Sequence, residues 1–185
     1  MARDAQETRR KLLEAAAGEF SAYGIAGARV DRIATSAGVN KAMIYSYFGN
    51  KEQLFDKVFE IHVVAGTVGG VPITPEDLPG YAGRLFDHYQ AHPEISRLAN
   101  WHRLERGAGA VPAAVVESQR QKLEALEKAQ ADGTLSARFP AKELLALVLS
   151  LSLTGIEEFE ALDAAGLAVR RASVLDAVRL ITETR

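Results

Sequence analysis

The sequence predicts an all-α fold of about nine helices. Three observations carry this. Apolar residues recur three and four apart along most of the chain, no two-residue alternation runs long enough to build a sheet, and Gly, Pro and Asn recur where helices must stop or start. Internal repeats and low-complexity segments are absent from the sequence. The helices divide into an N-terminal three-helix unit, residues 1–50, and a larger helical domain, residues 51–185.

Asp4, with Glu7 three residues on, gives a capped start to a first helix running to about Tyr23. Leu12, Leu13, Ala16, Ala17 and Phe20 form its buried stripe, and Gly24 ends it. Arg9, Arg10 and Lys11 lie near its start, where they are either solvated or, beside a DNA reader, in reach of phosphates. Val30, Ile33, Ala34 and Ala37 then mark a second, short helix. Gly38 supplies the positive φ for a sharp turn, Val39 anchors that turn, and Asn40 caps a third helix over Lys41–Phe48.

Turned at about 100° per residue, the third helix points Ile44 and Phe48 inward. Ala42 and Ser46 point outward, flanked by Met43 and Tyr47 on one side and by Lys41 and Tyr45 on the other. Small residues ringed by a cation and two phenols suit close approach to a polyanion. The ammonium and hydroxyls reach phosphate oxygens, while Ala42, Met43 and Ser46 sit where base edges would be. This is the pattern of a helix-turn-helix whose second helix reads DNA. The same spacing also fits an ordinary helical hairpin whose tyrosines merely pack.

Asn50 caps a fourth helix from Lys51, with Gln53 completing a box-like arrangement. A helix N-terminus bearing a lysine is a natural phosphate clamp. This helix carries Leu54, Phe55, Val58, Phe59, Ile61 and His62 and ends near Gly66. Residues 66–80 are rich in Gly and Pro and read as a loop; their glycines lack phosphate-loop spacing and follow no strand. A fifth helix spans about Leu78–Ala91, with Tyr81, Leu85, Phe86 and Tyr89 on its apolar side. The sixth, His92–Gly107, uses Pro93 in its first turn and bears Ile95, Leu98, Trp101 and Leu104. Pro112 opens the seventh, which buries Val115, Val116, Leu123 and Leu126 and ends at Asp132-Gly133. The eighth starts at Pro140 or Ala141, and its run LLALVLSLSLTGIEEF is apolar on almost every face. The ninth, about Ala168–Thr184, has Val174, Leu175, Val178 and Ile181 on a wide apolar face.

The net charge of −2 argues at first against nucleic acid, but its distribution answers that. Residues 1–51 hold eight Lys/Arg against five Asp/Glu, a balance of +3, while the remainder stands at −5. The positive part coincides with the turn motif, and the acidic remainder keeps DNA off the other surfaces. No apolar run reaches the roughly 18 residues of a membrane span, and the start, MARDAQETRR, lacks the apolar region of a secretory signal. The absence of cysteine excludes disulfides and thiolate chemistry and fits the cytosol. The expectation is a soluble cytoplasmic protein.

Phe20, Tyr23-Gly24, Ile33-Ala34, Ala37-Gly38-Val39, Ile44-Tyr45, Tyr47-Phe48, Lys51-Glu52 and Leu54 follow in order without a gap. With these the first third of the chain resembles the TetR (tetracycline-repressor-like) family of bacterial transcription regulators. The resemblance implies an N-terminal DNA-binding domain followed by a ligand-sensing and dimerising one. It gives Tyr45 and Lys51 phosphate contacts and Lys41, Ala42 and Met43 the base-reading positions, with Arg29, Asn40, Ser46 and Tyr47 completing the candidate DNA surface. One departure stands out: Ala28 and Arg29 replace the threonines that often precede the motif, so the cap of the second helix is weaker, although Arg29 can reach a phosphate or the minor groove.

The remaining chemistry is sparse. His88 and His92, four apart with Asp87 and Glu94 nearby, make a metal site conceivable, but Pro93 breaks the helix after the second histidine. Glu157, Glu158 and Glu160 cluster at the end of the eighth helix, as solvated glutamates commonly do. No nucleophile with a base beside it can be argued, so neither an enzyme nor a cofactor is expected. Phe59, His62, Phe86, Tyr89, Trp101, His102, Leu123 and Leu147 could line an effector pocket between helices; taken singly each reads as plain core, and only the set is a candidate. The last two helices, through Leu149, Leu153, Val174, Leu175, Val178 and Ile181, either form a four-helix dimer interface or hide in an intramolecular bundle. The resemblance favours the dimer. The expected function is a dimeric regulator, a repressor released from a near-palindromic operator by a small molecule. The rivals are a DNA-binding dimer without effector and a helical metal protein or enzyme.

Overall fold

A computed structural model of the chain describes residues 2–107, 111–154 and 162–183. Every regular element among these residues is helical: α1 (Ala2–Gly27), α2 (Val30–Ala37), α3 (Lys41–Phe48), α4 (Lys51–Phe59), a π turn (Glu60–Val64), α5 (Ala65–Gly69), a 3₁₀ turn (Pro75–Asp77), α6 (Leu78–Ala91), α7 (Pro93–Arg106), α8 (Ala113–Ala131), α9 (Ala141–Ser152) and α10 (Ala164–Thr182). The end expected for the eighth helix, with Glu157, Glu158 and Glu160, lies outside the described residues. No described helix is long and apolar enough to cross a membrane.

The chain forms two compact packing units. The first is Met1–Gly66 with Glu94–Pro112, and the second is Thr67–Pro93 with Ala113–Arg185. Packing groups Lys51–Gly66 and α7 with the first three helices.

In the first unit, Leu12, Leu13, Ala16, Ala17 and Phe20 of α1 meet Ile33 and Ala34 of α2, Ile44 and Phe48 of α3, and Leu54, Phe55 and Val58 of α4. Phe20 and Phe55 meet edge to face, with centroids 5.2 Å apart. Asp4 lies inside α1 rather than capping it, because the helix already runs from Ala2. Gly24, at φ 68°, kinks α1, and a final turn follows to Gly27. The fourth helix passes through the π turn and continues to Gly69, three residues beyond its expected end.

On α7 the buried stripe is Ile95, Leu98 and His102, whereas Leu104 is 69% exposed. The reason is angular: residues three and seven after Ile95 return to its face, and Leu104 lies on the opposite side.

The second unit is built on α6. Tyr81, Ala82, Leu85 and Phe86 form its core with Leu126 and Ala129 of α8, Leu144, Leu145 and Val148 of α9, and Val174 and Val178 of α10. α6 and α10 approach closely at Gly83, where a Cβ would meet Leu175 Cδ1 at 2.8 Å. Arg171 Nε donates to Asp87 Oδ1 at 2.8 Å across the same pair of helices. Ser152 is fully buried and donates to the carbonyls of Val148 (2.8 Å) and Ala82 (3.2 Å), tying α9 to α6. Asp163 caps α10 by accepting from Gly166 N–H at 2.7 Å, so this helix begins four residues earlier than expected. Val116, expected in the core, is 55% exposed; Leu126 is buried as expected, and α8 also buries Ser118 and Ala129.

Candidate nucleic-acid interface

The turn between α2 and α3 is set by local chemistry. Gly38 takes φ 68° and its N–H donates to Thr35 O at 3.1 Å, while Val39 N–H donates to Ala34 O at 3.0 Å. Asn40 Oδ1 accepts from Ala42 N–H at 2.8 Å and starts α3. Ile44 is fully buried and Phe48 is 8% exposed, which fixes the rotation of α3 about its axis. Lys41, Ala42, Tyr45 and Ser46 consequently stand exposed, with Met43 and Tyr47 half-buried at the flanks. Asn50 Oδ1 caps α4 by accepting from Gln53 N–H at 2.8 Å.

The charged groups of this surface are not idle. Lys41 Nζ lies 2.8 Å from Asp31 Oδ1 on α2, and that carboxylate holds the ammonium above the ordinary lysine range. Lys51 Nζ donates to the carbonyls of Ala28 (3.3 Å) and Ala26 (3.4 Å), a cation on the open carbonyls where α1 ends. Arg29 caps α2 without a side-chain bond, consistent with the missing threonine; its backbone N–H donates to Glu19 Oε1 at 2.8 Å and its side chain is exposed. Arg32 pairs with the same carboxylate at 2.6 Å and lies over the Tyr23 ring at 4.3 Å. Burial pushes the Glu19 carboxyl up, but the Arg32 guanidinium and the Arg29 N–H outweigh it and hold it below the usual carboxylate range.

The residues proposed for an effector pocket fall in both packing units. Phe59, His62, Trp101 and His102 belong to the first unit, and Phe86, Tyr89, Leu123 and Leu147 to the second. Phe59 and His102 stack on each other at 4.1 Å. His62 lines an open groove of about 750 Å³ with Ile61 and with Asp4, Arg9 and Leu13 of α1. Trp101 donates its indole N–H to Ser21 O at 3.1 Å. In the second unit Phe86 is buried, Tyr89 and Leu123 are half-buried, and Leu147 is 39% exposed.

Of the six dimer candidates, Val174 and Val178 are buried within the second unit's own core. Leu149, Leu175 and Ile181 are half-buried, and Leu153 is exposed. The rings of His88 and His92 lie 5.1 Å apart, and no cluster of three or more metal-ligating residues occurs among the described residues.

Two features escaped the sequence reading. The Asp31–Lys41 pair joins two helices, and nothing in the spacing of charges predicts it. Glu105, eighty residues downstream, reaches the backbone of Ile25.

A short first helix, a glycine turn and a capped second helix with its polar side outward define a helix-turn-helix DNA-binding regulator. Residues 12–58 match the family described as bacterial regulatory proteins, tetR family, and residues 77–179 match the tetracyclin repressor-like C-terminal domain. The chain belongs to the TetR family of transcription regulators, whose members bind operator DNA, dimerise and respond to small-molecule effectors. It is 40% identical to the HTH-type transcriptional repressor SCO4008 of Streptomyces coelicolor over 153 residues, 82% of this chain and 79% of that protein. It is 37% identical to the HTH-type transcriptional repressor NicS of Pseudomonas putida over 116 residues, 59% of this chain and 54% of that one. The solved structure of a protein described as a transcriptional regulator, SCO4942 of Streptomyces coelicolor, superposes with a TM-score of 0.84 at 35% identity, covering 96% of this chain and 99% of that chain.

Proposed function

We propose that the chain is a homodimeric repressor that holds near-palindromic operator DNA through two copies of α3 and releases it when a small molecule binds its C-terminal region. The observation that carries the reading is the rotation of α3: Ile44 and Phe48 are buried while Lys41, Ala42, Tyr45 and Ser46 are exposed. Lys41, Ala42 and Met43 read base edges. Ser46 sits with them on the groove side; Tyr45, Tyr47, Lys51 and Arg29 contact the backbone, and Asn40 orients the helix. A two-fold dimer presents its reader helices to successive major grooves about 34 Å apart. Residues 1–50 thus form the DNA-binding domain by role, and residues 51–185 the sensing and dimerising domain.

Two observations support the second half of the reading. On α10, Val169 and Leu180 are 69% and 63% exposed and, eleven residues apart, share a face; Leu147 on α9 and Leu153 at its C-cap are each 39% exposed. Among the described residues of α9, its C-cap and α10, these large apolar side chains stay exposed while Val174 and Val178 are buried. In the second unit, the Tyr81 hydroxyl is buried with no hydrogen-bond partner among the described residues, a donor that a ligand acceptor could meet. A ligand releases DNA only to the extent that it prefers the low-affinity conformation.

Selection of bound duplexes from random sequence tests the proposal. Enrichment of a near-palindrome whose half-sites lie about one helical turn apart is the expected result. Failure to enrich any sequence overturns it.

A further inference from the structure

The cations around α2 and α3 are engaged by the protein in unlike ways. Arg32 is locked by Glu19, whose side chain is only 9% exposed and also takes the Arg29 N–H. Lys51 rests on two backbone carbonyls. Lys41 is held differently. Its partner Asp31 sits in the first turn of α2 with its side chain 74% exposed, and Lys41, itself 45% exposed, is its only ion-pair partner among the described residues. Water competes for both ends of such a pair, so it opens easily.

We propose that Asp31 is a specificity-determining residue. In the free protein it holds the Lys41 ammonium and sets a carboxylate beside the reading face. The inference rests on α3 being the DNA reader. A duplex of arbitrary sequence then meets a pair with no net charge, and its phosphates face a carboxylate. Such a duplex gains little from Lys41. A base edge with two acceptors in the major groove, as guanine presents at O6 and N7, offers the ammonium a partner that replaces the carboxylate. The flexible lysine stem and its three donors permit that exchange. Asp31 thus weakens binding to the wrong sequence more than to the right one, discrimination by an unfavourable contact.

The test uses the full chain, the operator obtained by selection, and a scrambled duplex of equal length and composition, each titrated across salt concentrations. For Asp31→Asn the scrambled duplex is bound about three- to fivefold more tightly, and the operator with a smaller gain. The log–log salt slope on the scrambled duplex steepens by about one. Asp31→Glu keeps the wild-type ratio. In a Lys41→Met background, Asp31→Asn leaves the salt slope unchanged. Equal gains on both duplexes overturn the proposal, as does an undiminished effect in the Lys41→Met background, which would make Asp31 a general repulsive charge. Selection that enriches no sequence overturns the DNA reading itself. An enriched operator with unaltered discrimination overturns Asp31's role alone. Equal thermal midpoints confirm that the variants are folded.

Discussion

The carboxylate of Glu105, on the last turn of α7, accepts the backbone N–H of Ile25 at 2.9 Å, and its second oxygen accepts that of Ala26 at 3.0 Å. The kink at Gly24 explains why this is needed. Breaking a helix leaves N–H groups without carbonyl partners, and Glu105 supplies both acceptors at once. Glu105→Ala should cost about 1–2 kcal/mol and lower the thermal midpoint by several degrees, with Glu105→Gln between the two. Gly24→Ala should cost more. Its φ of 68° disfavours a Cβ, which would also sit 2.7 Å from the Trp101 ring and against Glu105. An unchanged midpoint for Glu105→Ala would mean that water serves those amides equally well.

His102 makes stability depend on pH. It lies 9% exposed against Phe59, and burial pushes its imidazole below the ordinary value of 6.5; nearby Arg106 acts in the same direction and Asp56 opposes it. The unfolded chain therefore takes up this proton more readily than the folded one. Stability is full above the unfolded value and falls as pH drops through 6.5 toward the lower folded value. Denaturant midpoints measured between about pH 7 and pH 5 should show this loss, and His102→Phe should flatten it relative to wild type. Parallel pH profiles for the two proteins would show that His102 is not the source.

Much of the DNA-reading half was legible because its rules are local. Gly38, Asn40 and the Ile44/Phe48 spacing each act within a few residues, so the sequence alone located α2, the turn and α3 and oriented the last. Where the outcome depended on distant partners, the pattern misled. Leu104 and Val116 are apolar yet exposed, while His102 and Ser152 are polar yet buried, His102 stacked on Phe59 and Ser152 bonded to backbone carbonyls. Val174 and Val178 face α6, and no reading of α10 alone distinguishes that neighbour from a second copy of the chain. The Asp163 cap and the π turn after Phe59 left only weak local signals.

On the proposed reading, Lys51 and Met43 should separate affinity from selectivity. Lys51→Ala removes a cation held at the end of α1 and should weaken binding to operator and scrambled duplex alike, with the salt slope reduced by about one. Substituting Met43 should leave the slope alone and change the selected sequence, because its half-buried side chain flanks the face proposed to read bases. An unaltered salt slope for Lys51→Ala would exclude a phosphate contact. An identical selected site for the Met43 variant would place base reading elsewhere on α3.

The proposed dimer can be probed only at residues the fold does not already use. Val178 is fully buried among α6 and α10 side chains, so Val178→Asp buries an unpaired carboxylate and should unfold the second unit rather than dissociate a complex. Leu180 and Leu153 are exposed at 63% and 39%, and an aspartate at either position leaves the core intact. Leu180→Asp should keep its stability within about 0.5 kcal/mol of wild type, after allowing for dimer linkage, yet give monomers by light scattering. Operator affinity should then fall steeply, because a single reader loses the effective concentration that a tethered second one supplies. Folded dimers persisting in both Leu180→Asp and Leu153→Asp would move the interface away from α9 and α10 altogether.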